Sequence, residues 1–298
     1  MKNKKIFSLY ALIIGLMALQ ACDDGEEAET EVPSFIKVDS FQVTTGPGQG
    51  TNHQNFSDVW VTVEDPNKFK GAYELPAKIP LLREDETEVI LRPGIMQDGI
   101  SSTRNRYPFF TSHREVLDLK PGEVIDLTEE DRIPAVEYSE NISFQWMESF
   151  NDEDNINLEI SENSTMGFEI TNEGDEVFEG SGSLKGAFSE EGQILEVKSD
   201  KIFDIDPNDP AFMELNYRTD LELLIGIISH RGDETRRELK MGLNPTGNEW
   251  NKVYVTFSEF VGRQGMGRPF EIFLGAQNPT DEDNELFLDN IKFITPNE

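Results

Sequence analysis

Apolar and polar residues alternate with a period of two through most of the chain. Val59, Val61 and Val63 interleave with Trp60 and Thr62, and Val253, Val255 and Phe257 interleave with Tyr254 and Thr256. A two-residue period marks strands with one buried face. The pattern predicts strands around Phe35 to Thr44, Asp58 to Glu64, Gly71 to Leu75, Glu88 to Leu91 and Glu115 to Leu119. Turn signals separate such runs: Gly46-Pro47-Gly48, Asp65-Pro66-Asn67, Pro121-Gly122, Asn244-Pro245-Thr246-Gly247 and Asn278-Pro279-Thr280. No long stretch carries a helical stripe, so many short strands point to sandwiches or barrels.

The charged, proline-closed stretch Thr128-Glu129-Glu130-Asp131-Arg132-Ile133-Pro134 divides the chain. The expectation is an all-β protein: a small N-terminal β-sandwich over residues 33–131, a linker at 132–137, and a larger C-terminal jelly-roll sandwich over 138–296.

The amino terminus has a different character. Lys2, Lys4 and Lys5 precede an apolar run, Ile6 to Leu19, that is shorter than the ~20 residues of a membrane span. The run closes on Leu19-Gln20-Ala21-Cys22, and Cys22 is the single cysteine. This resembles a bacterial lipobox. It implies a signal peptide at 1–21, a lipidated Cys22 and a membrane anchor, each buried CH₂ of an acyl chain adding ~0.8 kcal/mol. A cleaved signal without lipid and a retained anchor helix are the alternatives. Residues 22–32 are too acidic and too poor in apolar groups to fold, which predicts an extended tether. The run Asp23 to Glu31 also resembles the export signal of Bacteroidota lipoproteins, which implies the outer membrane with the protein facing the cell exterior.

The charge narrows the partners. With 58 acidic against 26 basic residues in 298, the formal charge is −32. Such a chain repels nucleic acid. Loss of the first 21 residues removes three lysines and makes it more acidic still. Beyond Cys22 no cysteine is left for a disulfide, so stability rests on core burial. Catalysis finds no complete motif: His53, His113 and His230 lie outside any H-E-x-x-H spacing, and there is no G-x-S-x-G elbow. No enzyme is expected, a hydrolase working through paired carboxylates being the remaining alternative.

Three segments in order, Glu148-Ser149-Phe150, Gly180-Ser181-Gly182-Ser183-Leu184-Lys185 and Leu286-Phe287-Leu288-Asp289-Asn290-Ile291, resemble the galactose-binding-like jelly rolls of carbohydrate-binding modules. The resemblance covers the C-terminal half and implies that fold, with a glycan or other polymer as ligand. Asp58 to Val63, Gly71 to Pro76, Pro80 to Leu82 and Arg92-Pro93-Gly94 resemble a small surface sandwich of the PEGA or carboxypeptidase-regulatory type. Together with Tyr107-Pro108-Phe109-Phe110 they are similar to a group of Bacteroidota surface lipoproteins.

Particular residues then become candidates. On an unbroken closing strand Asp289 shares a face with Phe287, Ile291 and Phe293, where a carboxylate must be paired. The jelly-roll resemblance implies a structural calcium there, with Glu148 as a second oxygen ligand. A β-bulge at Asp289-Asn290, or backbone N–H donors, would satisfy the group instead. Asp204, Asp206 and Asn208 begin like an EF-hand loop, but Asp209 and Leu215 stand where glycine and glutamate belong. Trp250, Lys252 and Tyr254 share one side of a strand and form a plate-and-donor set for a sugar ring, unless that face is packed or covered. Arg104, Arg106, Tyr107 and Phe109 form a cationic and aromatic patch suited to a protein partner, or else tuck under the first domain. Arg231-Gly232-Asp233 reads as a hairpin tip. The expected role is that of a lipid-anchored surface protein binding glycan or polymer through the jelly roll, with an assembly or adhesion component of the outer membrane as the alternative.

Overall fold

The structure is a computed structural model that describes residues 32–64, 69–264 and 269–297. The lipobox with Cys22, nearly all of the tether and the Asp65-Pro66-Asn67 turn lie outside the described residues. The described chain is all-β apart from one short helix, α1 (Ser258–Gln264). Among the described residues no helix is long and apolar enough to cross a membrane.

The N-terminal unit is built on two facing sheets. One has the order β5-β1-β9, from β1 (Ser34–Val38), β5 (Ala77–Leu81) and β9 (Val124–Asp126). The other has the order β4-β3-β6-β7, from β3 (Asp58–Val63), β4 (Phe69–Glu74), β6 (Glu86–Met96) and β7 (Arg104–Arg106), with β8 (His113–Asp118) also paired to β6. Alternation decides which face is buried: Val59, Val61, Val63, Val89 and Leu91 pack against Ile36, Val38, Ile79 and Leu81. The expected strand from Phe35 to Thr44 is interrupted at exposed Asp39 and Ser40, leaving β2 (Gln42–Thr44) to pair elsewhere.

Its partner corrects the linker. Within 132–137, β10 (Ala135–Glu137) pairs in parallel with β2, and Val136 and Tyr138 are buried. Two apolar side chains two residues apart anchor this stretch to the N-terminal unit, and the chain passes directly from it into the second sandwich.

That sandwich begins with β11 (Ile142–Glu148), β12 (Leu158–Ile160) and β13 (Glu169–Thr171), then runs through β14 (Ser183–Phe188), β15 (Ile194–Ser199), β16 (Phe212–Thr219), β17 (Leu223–Arg231), β18 (Glu234–Leu243), β19 (Asn251–Thr256), β20 (Phe270–Gln277) and β21 (Asn284–Pro296). The two sheets have the orders β13-β14-β21-β16-β19, with β11 also on β21, and β12-β15-β20-β17-β18. Strands 14-21-16-19 facing 15-20-17-18 are the jelly-roll order. The residues between the sheets are apolar, among them Trp146, Leu184, Leu215, Ile225, Ile272, Leu288 and Phe293. Arg231 pairs with Glu234, so Gly232 and Asp233 form a two-residue hairpin turn with Gly232 at positive φ.

One irregularity reorients the closing strand. Asp289 stands opposite Asn216 and Lys292 opposite Glu214, so Asn290 and Ile291 together face Leu215. Asn290 takes a φ of 49°. The extra residue inverts the alternation. Leu286 and Leu288 face the sandwich core before the bulge, and Ile291 and Phe293 face it afterwards. Asp289 therefore lies on the opposite face from Ile291 and Phe293, contrary to the reading of an unbroken strand.

That opposite face is covered by the N-terminal unit. Ile95, Tyr107, Phe109, Phe110, Val136 and Tyr138 form a separate apolar cluster with Phe212, Tyr254 and Ile294. Residues 97 and 98 also reach the edge of β19: Asp98 N donates to Tyr254 O at 2.8 Å and Asp98 Oδ1 accepts from Thr256 N at 2.9 Å. The open edge of that sheet is thereby satisfied.

Candidate functional site

The residues expected to hold a sugar lie in the covered face. Lys252 and Tyr254 are buried, and only Trp250 is half-exposed. The Tyr254 hydroxyl accepts from Asn55 N and donates to Gln54 Oε1, both at 2.8 Å. Lys252 Nζ pairs with Glu214 Oε2 at 2.9 Å. Trp250 contacts Phe178 and Phe287, with ring centroids 5.3 and 6.2 Å away. The plate-and-donor set is therefore broken up, because its two polar members serve the contact between the units.

The same holds for the expected partner patch. Tyr107 and Phe109 are each only 1% exposed, within the apolar cluster between the units. Arg104 Nη1 pairs with Asp58 at 2.5 Å and its Nη2 with Glu74 at 3.2 Å. Of the four residues, Arg106 alone is exposed.

At the centre of the covered face lies a buried charge network. Glu214 Oε1 accepts from the hydroxyls of Tyr107 at 2.8 Å and Tyr138 at 2.9 Å. Lys292 Nζ donates to Thr51 O at 2.7 Å and to the Tyr138 hydroxyl at 3.1 Å. Burial alone would raise the Glu214 pKa, but Lys252 and Lys292 outweigh it and hold the group at about 2. Burial, with repulsion from Lys252, lowers Lys292 to about 8, against the opposing pull of the Glu214 and Glu179 carboxylates. Burial first and Glu214 second raise all three tyrosines.

The carboxylates considered for calcium do not fit a cation. Glu148 accepts from Ser149 N at 2.8 Å, Phe150 N at 2.6 Å and Asn157 N at 2.5 Å. Asp289 accepts from Ser183 Oγ at 2.7 Å, Asn290 N at 2.7 Å and Glu179 N at 3.3 Å. N–H and O–H donors surround both groups, whereas calcium requires six to eight converging oxygens. Among the described residues no set of three or more His, Cys, Asp or Glu side chains is placed to hold a metal. Burial raises Asp289 to about 6 despite its three donors.

The face left open belongs to the sheet β12-β15-β20-β17-β18. Its outward side chains follow from the register. Lys198 stands beside Phe273, Phe273 beside Gly226, and Gly226 beside Leu239. In the next rows Glu271 stands beside Ile228, Ile228 beside Arg237, and His230 beside Thr235. Gly226 makes this possible: a Cβ there would fall 2.4 Å from the Phe273 ring, so the ring lies across the glycine backbone. Arg237 covers Phe273 with its guanidinium 3.7 Å from the ring centroid and pairs with Glu196.

On this face Lys198, Ile228, His230, Thr235, Arg237 and Glu271 line a groove of about 340 Å³ together with Ser161, Glu162 and Asn163. Lys198 Nζ donates to Glu271 Oε1 at 2.5 Å and pairs with Glu159 at 3.1 Å. Burial would lower the Lys198 pKa, but the two carboxylates raise it overall and keep the amine charged. His230 Nε2 lies 2.9 Å from Glu271 Oε2. Ser161 Oγ donates to Glu196 Oε1 at 2.5 Å. Half-buried Ile228 adds apolar surface to the lining, and Leu239, 56% exposed, adds more on the same sheet face. The arrangement offers donors and acceptors fixed by one another, beside surface on which C–H groups can rest.

Sequence reasoning missed this groove. Its one signal is in β20, where Glu271 interrupts the apolar run Phe270 to Leu274 on the side opposite core residues Ile272 and Leu274.

No known protein family matches the sequence, and no curated protein matches it either. Solved structures similar to the chain include the CBM22-1 xylan-binding domain of Paenibacillus barcinonensis Xyn10C, at 12% identity and a TM-score of 0.41, covering 54% of this chain and 99% of that one. A carbohydrate-binding module of the β-sandwich superfamily with promiscuous specificity is 16% identical, with a TM-score of 0.40, over 80% of this chain and 86% of that one. TmCBM61 in complex with β-1,4-galactotriose is 10% identical, with a TM-score of 0.30, over 46% and 85%.

Proposed function

We propose that the protein binds a polysaccharide without cleaving it, in the groove over β15, β20, β17 and β18, while lipid on Cys22 holds it at the exterior of the outer membrane. The observation that carries the binding site is the set of polar side chains on the jelly-roll face that the N-terminal unit leaves open: Lys198, Glu271 and His230, tied to one another, and Arg237, held by Glu196. A carboxylate and an ammonium held side by side accept from and donate to adjacent sugar hydroxyls. Both carboxylates are engaged by cations, Glu271 by Lys198 and Glu196 by Arg237, which suits hydrogen bonding. A glycosidase instead needs an acid and a base flanking the scissile bond. The anchor rests on the cationic head, short apolar run and Leu19-Gln20-Ala21-Cys22.

Titration calorimetry with neutral xylan and β-1,4-galactan fragments tests the groove. Binding to the native protein that weakens at least tenfold in Lys198→Ala and in Arg237→Ala supports it. Binding unaltered by both changes overturns it. Mass spectrometry of the mature protein tests the anchor, which requires acyl groups on Cys22.

A further inference from the structure

The outer face of the N-terminal sheet β4-β3-β6-β7, extended by β8, carries a group of guanidiniums that the groove does not use. Arg92 on β6 stands opposite Trp60 on β3. On the other edge of β6, Arg106 of β7 stands opposite Gly94 and Arg114 of β8 opposite Ile90. Gly94 and Ile90 flank Arg92 at two residues on either side, so all three arginines share its face. Diagonal neighbours of this kind lie ~7–8 Å apart, within reach of long side chains.

How few partners they have is the informative feature. The chain has more than two carboxylates for every basic side chain, so an arginine finds an acid easily. Arg104, only two residues from Arg106, pairs with both Asp58 and Glu74. Among the described residues Arg92 makes one side-chain hydrogen bond, to the neutral Thr62 Oγ1 at 3.0 Å, and the Arg106 side chain makes neither a hydrogen bond nor an ion pair. Arg114 makes one exposed contact with Glu88 at 3.4 Å, the kind that contributes least. Like charges left together oppose one another, and Arg92 responds: burial first, then Arg106 and Arg114, lower its pKa. An anion between them would remove that repulsion.

The surroundings narrow the class of anion. Phosphate sites are commonly cradled by backbone N–H groups at helix starts or nests, whereas here the anion would meet side chains on a paired sheet. Arg106 and Arg114 stand opposite positions four residues apart on β6, a span of roughly 13 Å that suits a short ligand better than a duplex. Half-buried Trp60, in the same row as Arg92, supplies an aromatic edge, its Nε1 lying 2.7 Å from where a Gly94 Cβ would stand. Salt limits the reach of the chain's overall negative charge to about 8 Å, so the local cations decide.

We propose that this face binds an acidic saccharide, its uronate carboxylate held by Arg92, Arg106 and Arg114. The site is independent of the groove on the jelly roll and does not rest on that reading. Titration of the full-length protein with trigalacturonate, with β-1,4-galactotriose as the neutral counterpart, is the test. Trigalacturonate is expected to bind saturably and at least tenfold more tightly than the neutral sugar, and more weakly as salt is raised. Arg106→Glu combined with Arg114→Glu is expected to weaken uronate binding more than tenfold while leaving the urea midpoint unchanged, because both side chains are exposed. Absence of saturable uronate binding, binding unaltered in the double variant, or equal binding of inorganic sulfate would each overturn the proposal. A double variant with a lowered urea midpoint is replaced by Arg106→Gln with Arg114→Gln, for which the same loss is expected.

Discussion

Glu214 Oε2 and Lys252 Nζ stand 2.9 Å apart on neighbouring strands, and neither side chain reaches solvent. Lys292, also buried, draws on the same carboxylate. The two sandwiches thus meet across one anion, two cations and three tyrosine hydroxyls, ringed by the aromatic cluster of Tyr107, Phe110 and Phe212. Replacing Glu214 leaves two buried ammonium groups without the carboxylate they share. Glu214→Gln is expected to cost about 3–5 kcal/mol, read from the urea midpoint at constant slope. A loss under about 1 kcal/mol would mean that water reaches the lysines.

Two carboxylates give the stability opposite pH dependences. Glu214 is depressed from 4.5 to about 2, so its contribution is complete above 4.5 and is lost as pH falls toward 2. Asp289 is raised from 3.8 to about 6, so its contribution is greatest below 3.8 and is lost as pH rises through 6. At ~1.4 kcal/mol per unit, Asp289 costs about 3 kcal/mol across that window. Asp289→Asn should remove this decline between about pH 4 and pH 6, measured by urea unfolding at several pH values. A variant with the native slope in that range would contradict the assignment.

The Tyr254 hydroxyl ties β19 to the loop at residues 51–55, beside a longer bond from Asn55 Nδ2 to Lys252 O at 3.4 Å. Tyr254→Phe leaves the Asn55 amide without its acceptor, at an expected cost of about 1–3 kcal/mol. Faster hydrogen exchange at Asn55, with little change at Leu215 or Ile272 in the jelly-roll core, is the expected signature.

Gly226 is required by the Phe273 ring that lies across it beneath Arg237. In Gly226→Ala the new methyl would meet Glu238 O at 2.3 Å and the Phe273 ring at 2.4 Å. Overpacking of this sort costs typically 1–3 kcal/mol. The ring must lift and displace Arg237, so on the proposed function weaker glycan binding should accompany the lowered thermal midpoint.

The longer strands were legible in the sequence because alternation sustained over six or more residues suits a half-buried strand and fits no helix, as at β3 and β19. Three-residue strands such as β7, β9 and β10 carry too little of a period to stand out from loops, and β10 lay hidden in an apparent linker. The Asn290 bulge changed the meaning of Asp289 without altering the apolar pattern that located β21. Trp250, Lys252 and Tyr254 do alternate as read, but what covers their face comes from residues 51–55 and 107–110, far away in sequence. The groove was illegible for a related reason. Lys198, Glu271, His230 and Arg237 belong to four strands that only the 15-20-17-18 order makes neighbours.

The proposal that glycan binds on the open face of the jelly roll has a direct physical readout. Hydrogen–deuterium exchange of the native protein is compared with and without a saturating neutral oligosaccharide. Protection is expected to concentrate in β15, β17, β18 and β20 around Lys198, His230, Arg237 and Glu271, with β19 unaffected. Protection centred instead on Trp250 and β19, or none on the groove strands at saturation, would contradict a binding site there.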